Sequence, residues 1–205
     1  MVKEVKYMES TILTLFQQLP ELNQGQRFIL GIDGLSRSGK TTFTKKMEEI
    51  LQKKNISFYI FHIDEFIVDR VKRYNTGNEE WVEYYHLQWN VRWLKDHFFT
   101  KLRESEELTL PLYDSSTNKQ NWQLISIPPA SLIIIEGIFL QRKEWRKYFD
   151  YMMYLDSSRE IRFNRESNTT KRNIDKFKNR YWKAEEYYLK TINPKALADV
   201  VIKNE

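Results

Sequence analysis

The stretch GIDGLSRSGKTT, residues 31–42, decides how the rest of the chain is interpreted. Within it, residues 34–41 satisfy the pattern G-x-x-x-x-G-K-[ST], and an apolar run precedes the pattern while a helix-like segment follows it. Glycines let successive backbone N–H groups turn toward the oxygens of a phosphate, and the N-terminus of the following helix adds the positive end of its dipole. The stretch therefore predicts a loop that binds a nucleoside triphosphate.

The polar positions of this phosphate loop (residues 34–41) have distinct expected contacts. The Lys40 ammonium is expected to reach the β- and γ-phosphates, and the Thr41 hydroxyl is expected to bind Mg²⁺. Arg37 occupies a variable position of the pattern and can equally face solvent. The residues expected at the nucleotide are Gly34, Ser36, Arg37, Ser38, Gly39, Lys40, Thr41 and Thr42.

Short apolar runs recur along the chain, and they are continuous rather than alternating, which is typical of strands buried on both faces. A helix-like segment, residues 41–54, separates the first two runs. Because strand, helix and strand in succession form the parallel crossover unit, the pattern predicts an α/β protein with a parallel sheet. The runs are residues 28–32, 58–63, 132–135 and 151–155, with a weaker fifth at 199–202.

Composition narrows the class of protein. The 205 residues are 41% hydrophobic and 30% charged, as in a soluble globular protein, and we expect one domain over residues 1–205. The absence of cysteine excludes disulfides and thiolate metal sites and fits a reducing compartment. Nothing resembles a signal peptide or a membrane span, so the expectation is a cytoplasmic enzyme that binds no membrane. Residues 1–26 are expected to carry an amphipathic helix with Ile12, Leu13, Leu15, Phe16 and Leu19 on its apolar positions.

Two further segments stand out. Residues 69–122 are rich in aromatic side chains and carry no clear buried strand, which indicates a helical insertion on the acceptor side. Residues 157–183, called the lid segment below, hold nine Lys or Arg against three acidic residues. Such a basic segment is suited to a triphosphate, although a nucleic acid is an alternative. The near-neutral remainder of the chain and the lack of a recognised nucleic-acid motif argue against that alternative.

Two carboxylates lie where strands are predicted to end. Asp64 follows the run 58–63, and Glu136 follows the run 132–135. Ligands of open parallel sheets bind beyond the carboxyl ends of the strands, so both side chains and the phosphate loop are expected to share one edge. That arrangement is what an in-line phosphoryl transfer requires.

Five motifs together resemble the uridine kinase and phosphoribulokinase family of P-loop kinases. They are GIDGLSRSGKTT, HIDEF (62–66), LPLYD (110–114), IIIEGIF (133–139) and ADVVI (198–202), and they occur in the family's order over residues 27–202. The resemblance implies a three-layer sandwich around five parallel strands, with ATP and Mg²⁺ as cofactors.

The resemblance also implies roles for single residues. Asp64 would be the general base near the acceptor hydroxyl and would lie at the metal, and Glu136 would hold Mg²⁺ through water. The lid segment would close on ATP, with Arg162 and Arg165 contributing to catalysis beside Lys40. Because these two arginines are three positions apart, a helix would point both the same way.

The acceptor side departs from the uridine kinase pattern. The histidine and arginine that follow the Tyr-Asp pair in uridine kinases are missing here, and Ile67 stands where a tyrosine is usual. The acceptor is thus expected to be another small alcohol: a nucleoside, a sugar or a vitamin-like compound. An aromatic wall with a guanidinium would stack a ring and hold an anionic group. The expected acceptor-binding residues are Arg73, Tyr74, Tyr85, His86, Trp89, Tyr113 and Asp114.

The leading hypothesis is therefore an ATP- and Mg²⁺-dependent kinase of a small metabolite. A nucleotide-binding regulatory module without turnover is the alternative. The segment Asn118-Lys119-Gln120-Asn121 approaches a guanine-reading motif but lacks its final carboxylate, so it is rejected. The sequence leaves open whether the chain forms a homo-oligomer.

Overall fold

The computed structural model describes residues 2–18, 26–129 and 131–204, and in the first of these ranges it describes the side chains of residues 9–17 only. The N-terminal helix buries Ile12 and Leu15 but leaves Leu13 exposed. Leu19, which the sequence places on the same helix, lies outside the described residues. No helix of the described chain is long and apolar enough to cross a membrane.

A central sheet of five parallel strands confirms the predicted fold class. Its strands run in the order β2-β5-β1-β6-β7, and every adjacent pair is parallel. The weak fifth run is the edge strand β7, which pairs with β6. The strands of the described chain are β1 (Arg27–Asp33), β2 (Phe58–His62), β3 (Glu107–Asp114), β4 (Lys119–Ser126), β5 (Ser131–Gly137), β6 (Tyr151–Asp156) and β7 (Val200–Lys203).

Helices cover both faces of this sheet. A π-helical turn, Lys95–Phe99, continues α4, and a second one, Phe177–Trp182, joins α7 to α8. The helices are α1 (Val2–Gln18), α2 (Lys40–Lys53), α3 (Glu80–His86), α4 (Val91–Leu94), α5 (Arg159–Asn164), α6 (Asn168–Lys171), α7 (Ile174–Lys176), α8 (Lys183–Ile192) and α9 (Pro194–Leu197).

The core divides into two clusters because successive strand residues point to opposite faces. Ile29 of β1 packs with the insertion and α8, whereas its neighbour Leu30 packs with α1 and α2. Helix α2 buries the four apolar residues that its periodicity predicts, namely Phe43, Met47, Ile50 and Leu51. The result is the expected three-layer arrangement.

The insertion is only partly helical, which corrects the sequence-based expectation. Its second half forms an antiparallel hairpin of β3 and β4, in which Leu110 pairs with Gln123 and Asp114 with Lys119. The hairpin was missed because it is not buried on both faces: Leu108 and Leu110 point into the core, while the partner strand β4 is mostly exposed. A short alternating strand with a solvent face carries a weaker apolar signal than the central strands do.

Candidate functional site

Two glycines give the phosphate loop its shape. Gly39 has φ 97°, in the left-handed region, and a Cβ there would collide with the side-chain amide of Asn204. That amide donates a hydrogen bond of 2.7 Å to the Ser38 carbonyl. A Cβ on Gly34 would lie 2.6 Å from the hydroxyl oxygen of Ser38 and 2.7 Å from the carbonyl of Leu155. Only glycine fits at either position.

The phosphate loop ends in two polar residues, Lys40 and Thr41, whose side chains line a cleft. Lys40 begins α2 and its ammonium donates a 3.1 Å hydrogen bond across the loop to the Leu35 carbonyl. The Thr41 hydroxyl faces both carboxylate oxygens of Glu136 at 3.4 Å. The sequence predicted that Glu136 follows the strand, whereas in the structure it is the second-last residue of β5. Strands β1 and β5 are adjacent, so the loop and this carboxylate meet at one sheet edge.

Asp64 reaches the same edge from a neighbouring strand. It lies in a 3₁₀ turn, Ile63–Phe66, directly after β2, which pairs with β5. The residue is solvent-accessible and yet closely surrounded by protein, as a group at the bottom of an open cleft is. Desolvation raises the pKa of Asp64, Lys40 opposes this, and the carboxylate of Glu136 raises it further.

His62 is a member of this cluster that sequence reasoning missed. As the last residue of β2, it lies with its Nδ1 3.4 Å from a carboxylate oxygen of Glu136. The pairing with Glu136 raises the pKa of His62, against the effect of desolvation. The HIDEF motif contains this histidine two positions before Asp64, but a strand-end imidazole has no sequence signal of its own.

One cleft of about 490 Å³ joins the loop, the carboxylates and the lid segment. Its walls combine the predicted residues Ser36, Arg37, Lys40, Thr41, Asp64, Tyr74, Glu136 and Arg162 with others that were not predicted. The unpredicted wall residues are Ile67, Tyr84, Gln88, Ile138, Phe163, Glu166, Thr170, Phe177, Tyr181, Trp182 and Glu185. Four further residues predicted at the nucleotide do not line the cleft, namely Gly34, Ser38, Gly39 and Thr42.

The two lid arginines both point at the phosphate loop, as their spacing predicts. Arg162 donates a 3.0 Å hydrogen bond to the Ser36 carbonyl, and Arg165 donates one of 3.1 Å to the Arg37 carbonyl. Only Arg162 lines the cleft, and both its terminal nitrogens are paired with Glu185 at 2.8 and 2.9 Å. In this structure the charge of Arg162 is thus neutralised by Glu185, while Arg165 contacts the backbone of the loop without lining the cleft.

Of the residues predicted to bind the acceptor, some line the cleft and others lie elsewhere. Tyr74 lines the cleft, but Tyr85 is a core residue stacked against Arg142, and Trp89 donates to the Ile63 carbonyl from within the core. His86 is exposed on the far side of α3. These three residues do not line the cleft, and neither does Arg73, whose buried side chain donates to the Val68 carbonyl.

Tyr113 and Asp114 do not line the cleft either; they are the last two residues of β3, next to the turn of the hairpin. The Tyr113 hydroxyl donates to the side chain of Asn118, and Asp114 accepts hydrogen bonds from Ser116 and Thr117. These bonds lower the pKa of Asp114. The last two residues of the LPLYD motif therefore stabilise the hairpin turn in this chain. The rejected guanine-like segment starts in the same turn and continues into β4.

A buried ion pair joins the lid segment to the insertion. Arg180 donates to Glu83 at 2.9 Å, and both side chains are almost completely buried. Arg180 also donates to the carbonyls of Glu80 and Arg73. The lid is consequently held against the acceptor side in this structure.

The donor atoms at the cleft fit a magnesium ion. Mg²⁺ prefers hard oxygen ligands and in phosphoryl-transfer sites takes few of them from the protein, the remainder being phosphates and water. Thr41 and Glu136 supply oxygens that face each other across a gap longer than a good O–H···O bond. Among the residues that the structure describes, no group of three or more His, Cys, Asp or Glu side chains could hold a metal unaided.

Known proteins resemble this chain in sequence and in structure. A curated uridine kinase from Borrelia duttonii is 32% identical over 147 residues, which are 66% of this chain and 63% of that protein. A solved structure described as a "possible uridine kinase" from Bacillus stearothermophilus is 46% identical and has a TM-score of 0.80, with 98% of this chain and 97% of that one covered. The chain thus spans somewhat under two thirds of the curated relative's length.

A more distant structure shares the fold alone. It is the D-glycerate 3-kinase from Cryptococcus neoformans, which is 10% identical, has a TM-score of 0.55, and is matched over 95% of this chain and 88% of its own. Residues 29–204 match the phosphoribulokinase/uridine kinase family, and because they make up most of the chain, the protein belongs to that family.

Proposed function

We propose that the protein is an ATP- and Mg²⁺-dependent kinase that transfers the γ-phosphoryl group to a hydroxyl of a small metabolite. The observation that carries the proposal is the convergence of Lys40, Thr41, Glu136 and Asp64 in a single cleft. A cation suited to binding phosphate, Lys40, and a carboxylate able to accept a proton, Asp64, line the same cleft. Phosphoryl transfer is mainly a matter of positioning and charge neutralisation, which this arrangement provides.

In this mechanism the loop amides and Lys40 hold the triphosphate, and Asp64 accepts the proton of the attacking hydroxyl. The raised pKa of Asp64 makes its carboxylate a better proton acceptor than an exposed one. Thr41 and Glu136 would hold Mg²⁺, which neutralises phosphate charge when bound. The aromatic side chains of the lid segment exclude water from the acceptor hydroxyl, because Phe177, Tyr181 and Trp182 line the cleft opposite the loop.

Asp64→Asn tests the proposal. We expect it to lower acceptor-dependent ADP release by about 10²- to 10⁴-fold, the usual contribution of a general base, with the affinity for ATP nearly unchanged. Glu65→Gln is the matched control, since Glu65 is the exposed neighbour in the same turn and does not line the cleft. Retention of most of the turnover in Asp64→Asn would disprove the role of the base.

A nucleotide-binding module without turnover is the competing function, and the same assay separates the two. It predicts ATP binding that depends on Lys40 but no ADP release with any acceptor in a panel of nucleosides, sugars, sugar phosphates and vitamin-like alcohols. Acceptor-dependent ADP release that is lost in Asp64→Asn would exclude it.

A further inference from the structure

Gln88 lies in the wall of the cleft, and its side-chain amide has no partner among the residues that the structure describes. The residue is only 8% exposed, and its Oε1 atom is buried and accepts no hydrogen bond. No residue of the described chain bonds to its amide nitrogen either. Buried side-chain amides are usually hydrogen-bonded, because an unsatisfied polar group is costly to bury. The amide therefore indicates a partner that binds in the cleft.

Backbone contacts place Gln88 beside the proposed general base. Its carbonyl accepts a 3.0 Å hydrogen bond from the Val68 N–H, and the indole of the next residue, Trp89, donates one of 2.8 Å to the Ile63 carbonyl. Residues 88 and 89 are thus bonded to the chain on both sides of Asp64. Because Asp64 and Gln88 also line the same cleft, one small molecule can contact both side chains.

A second uncharged polar group lies one helical turn earlier. Tyr84 lines the cleft, and its ring packs edge to face against Phe139 and Tyr181, with ring centres 5.6 and 5.0 Å apart. Its hydroxyl forms no hydrogen bond within the part of the chain that the structure describes. Since residues four apart on a helix are neighbours, the phenol and the amide can contact adjacent groups of one ligand.

The cations that line the cleft are already committed. The Nε of Arg37 lies 3.0 Å from a carboxylate oxygen of Glu166, and Arg162 is paired with Glu185. Lys40 is the remaining cation among the described residues of the cleft wall, and it is the expected ligand of the triphosphate. A carboxylate or phosphate on the acceptor would thus lie near the carboxylates of the site without a cation of its own, which is unfavourable.

We propose, on the basis of the kinase function proposed above, that Gln88 determines which acceptor is used. Its side-chain amide binds an uncharged hydrogen-bonding group of the acceptor while the attacking hydroxyl lies at Asp64. An amide offers both an acceptor oxygen and a donor N–H, so it matches a second hydroxyl or a carboxamide, and Tyr84 provides the adjacent contact. The acceptor is then a neutral alcohol with a second polar group, rather than one that carries a carboxylate or a phosphate.

Matched pairs of alcohols that differ mainly in charge test this specificity. The pairs are glycerol with glycerate, ribose with ribose 5-phosphate, and panthenol with pantothenate; glycerol and ribose offer hydroxyls only, whereas panthenol also offers an amide. We expect the neutral member of a pair to be phosphorylated with a kcat/KM at least about tenfold higher. Gln88→Met should raise KM for the neutral acceptor by about tenfold, the loss of one hydrogen bond, with KM for ATP nearly unchanged.

Melting temperatures separate a binding role of Gln88 from a structural one. Gln88→Met keeps the size of the side chain and removes an unsatisfied polar group, so the melting temperature should stay the same or rise. Gln141→Met is the matched control. Gln141 is 1% exposed and its oxygen also lacks a described partner, but it does not line the cleft and its amide donates to Asp33 at 3.0 Å. We expect Gln141→Met to lower the melting temperature and to leave KM for the acceptor unchanged.

Three results would overturn the proposal. They are preference for the charged member of the pairs, an acceptor KM that Gln88→Met leaves unchanged, and a melting temperature that falls as far in Gln88→Met as in Gln141→Met. The melting temperatures need no acceptor, so they decide the matter if no alcohol of the panel is phosphorylated. The kinase function is judged separately, by ADP release and its loss in Asp64→Asn, so the two proposals can fail independently.

Discussion

The Arg162–Glu185 ion pair holds the phosphate loop at Ser36, and the effect of breaking the pair can be calculated. The two side chains are 7% and 2% exposed and are joined by two hydrogen bonds of 2.8 and 2.9 Å. The pair also binds both backbone polar groups of Ser36: Glu185 accepts from the Ser36 N–H at 3.2 Å, and Arg162 donates to the Ser36 carbonyl. Glu185→Gln would leave a buried guanidinium without a counter-ion.

The expected cost is about 3–5 kcal/mol of the free energy of unfolding, the usual penalty for breaking a buried ion pair by removing one partner. For a chain of this size that corresponds to a fall in melting temperature of about 6–20 °C. Urea unfolding of the nucleotide-free protein, followed by tryptophan fluorescence, measures the free energy directly. We also expect KM for ATP to rise, because the side chains that bind the N–H and the carbonyl of Ser36 would no longer be held in fixed positions.

The same two helices provide the control. Arg159 and Glu186 form a pair of 2.7 Å that is 46% and 58% exposed, so Glu186→Gln should cost less than about 1 kcal/mol. The double variant Arg162→Met/Glu185→Leu should recover most of the stability lost by Glu185→Gln, since it leaves no unpaired charge. If Glu185→Gln costs no more than Glu186→Gln, the reasoning about the buried pair is refuted.

Two further predictions concern carboxylates outside the transfer step. Burial raises the pKa of Asp33, so the free energy of unfolding of the native protein should fall as the pH rises from the ordinary pKa of 3.8 through the raised pKa. Over that pH range, urea unfolding should show Asp33→Asn becoming more stable relative to the wild type. A stability difference that does not change with pH would contradict this prediction. Asp114→Ala should lower the free energy of unfolding by about 0.5–1.5 kcal/mol, because the hydrogen bonds from Ser116 in the hairpin turn are lost. The KM for the acceptor should not change; a raised KM would show that Asp114 contributes to acceptor binding.

The fold was predictable because its determinants are local and periodic. A strand buried on both faces is a continuous apolar run, and a phosphate loop fixes the spacing of its glycines, lysine and hydroxyl. Asp64 and Glu136 were predicted at the site because each comes at the end of such a run, and in the structure both line the same cleft as the loop. The hairpin was missed because one of its strands, β4, is mostly exposed and carries little apolar signal.

The acceptor wall was harder to predict because rings serve both core and cleft. Tyr85 and Trp89 are four residues apart and face the core, whereas Tyr84 and Gln88, one position earlier, line the cleft. Helical periodicity separates the two faces of α3, but it does not say which one is buried. That choice depends on the packing of α3 against α8 and the following loop, which are distant in sequence.

The Arg180–Glu83 contact has a consequence for the timing of turnover. It is a buried ion pair between two segments that also meet where the rings of Tyr84 and Tyr181 pack edge to face. In the proposed kinase cycle, a small molecule that enters or leaves between these segments would have to break the pair. Pulling the lid segment from α3 would strand one charge on each side until water arrives, so the gap should open rarely and close quickly. The residence time of the product, rather than the speed of bond making, would then set the pace of the whole cycle.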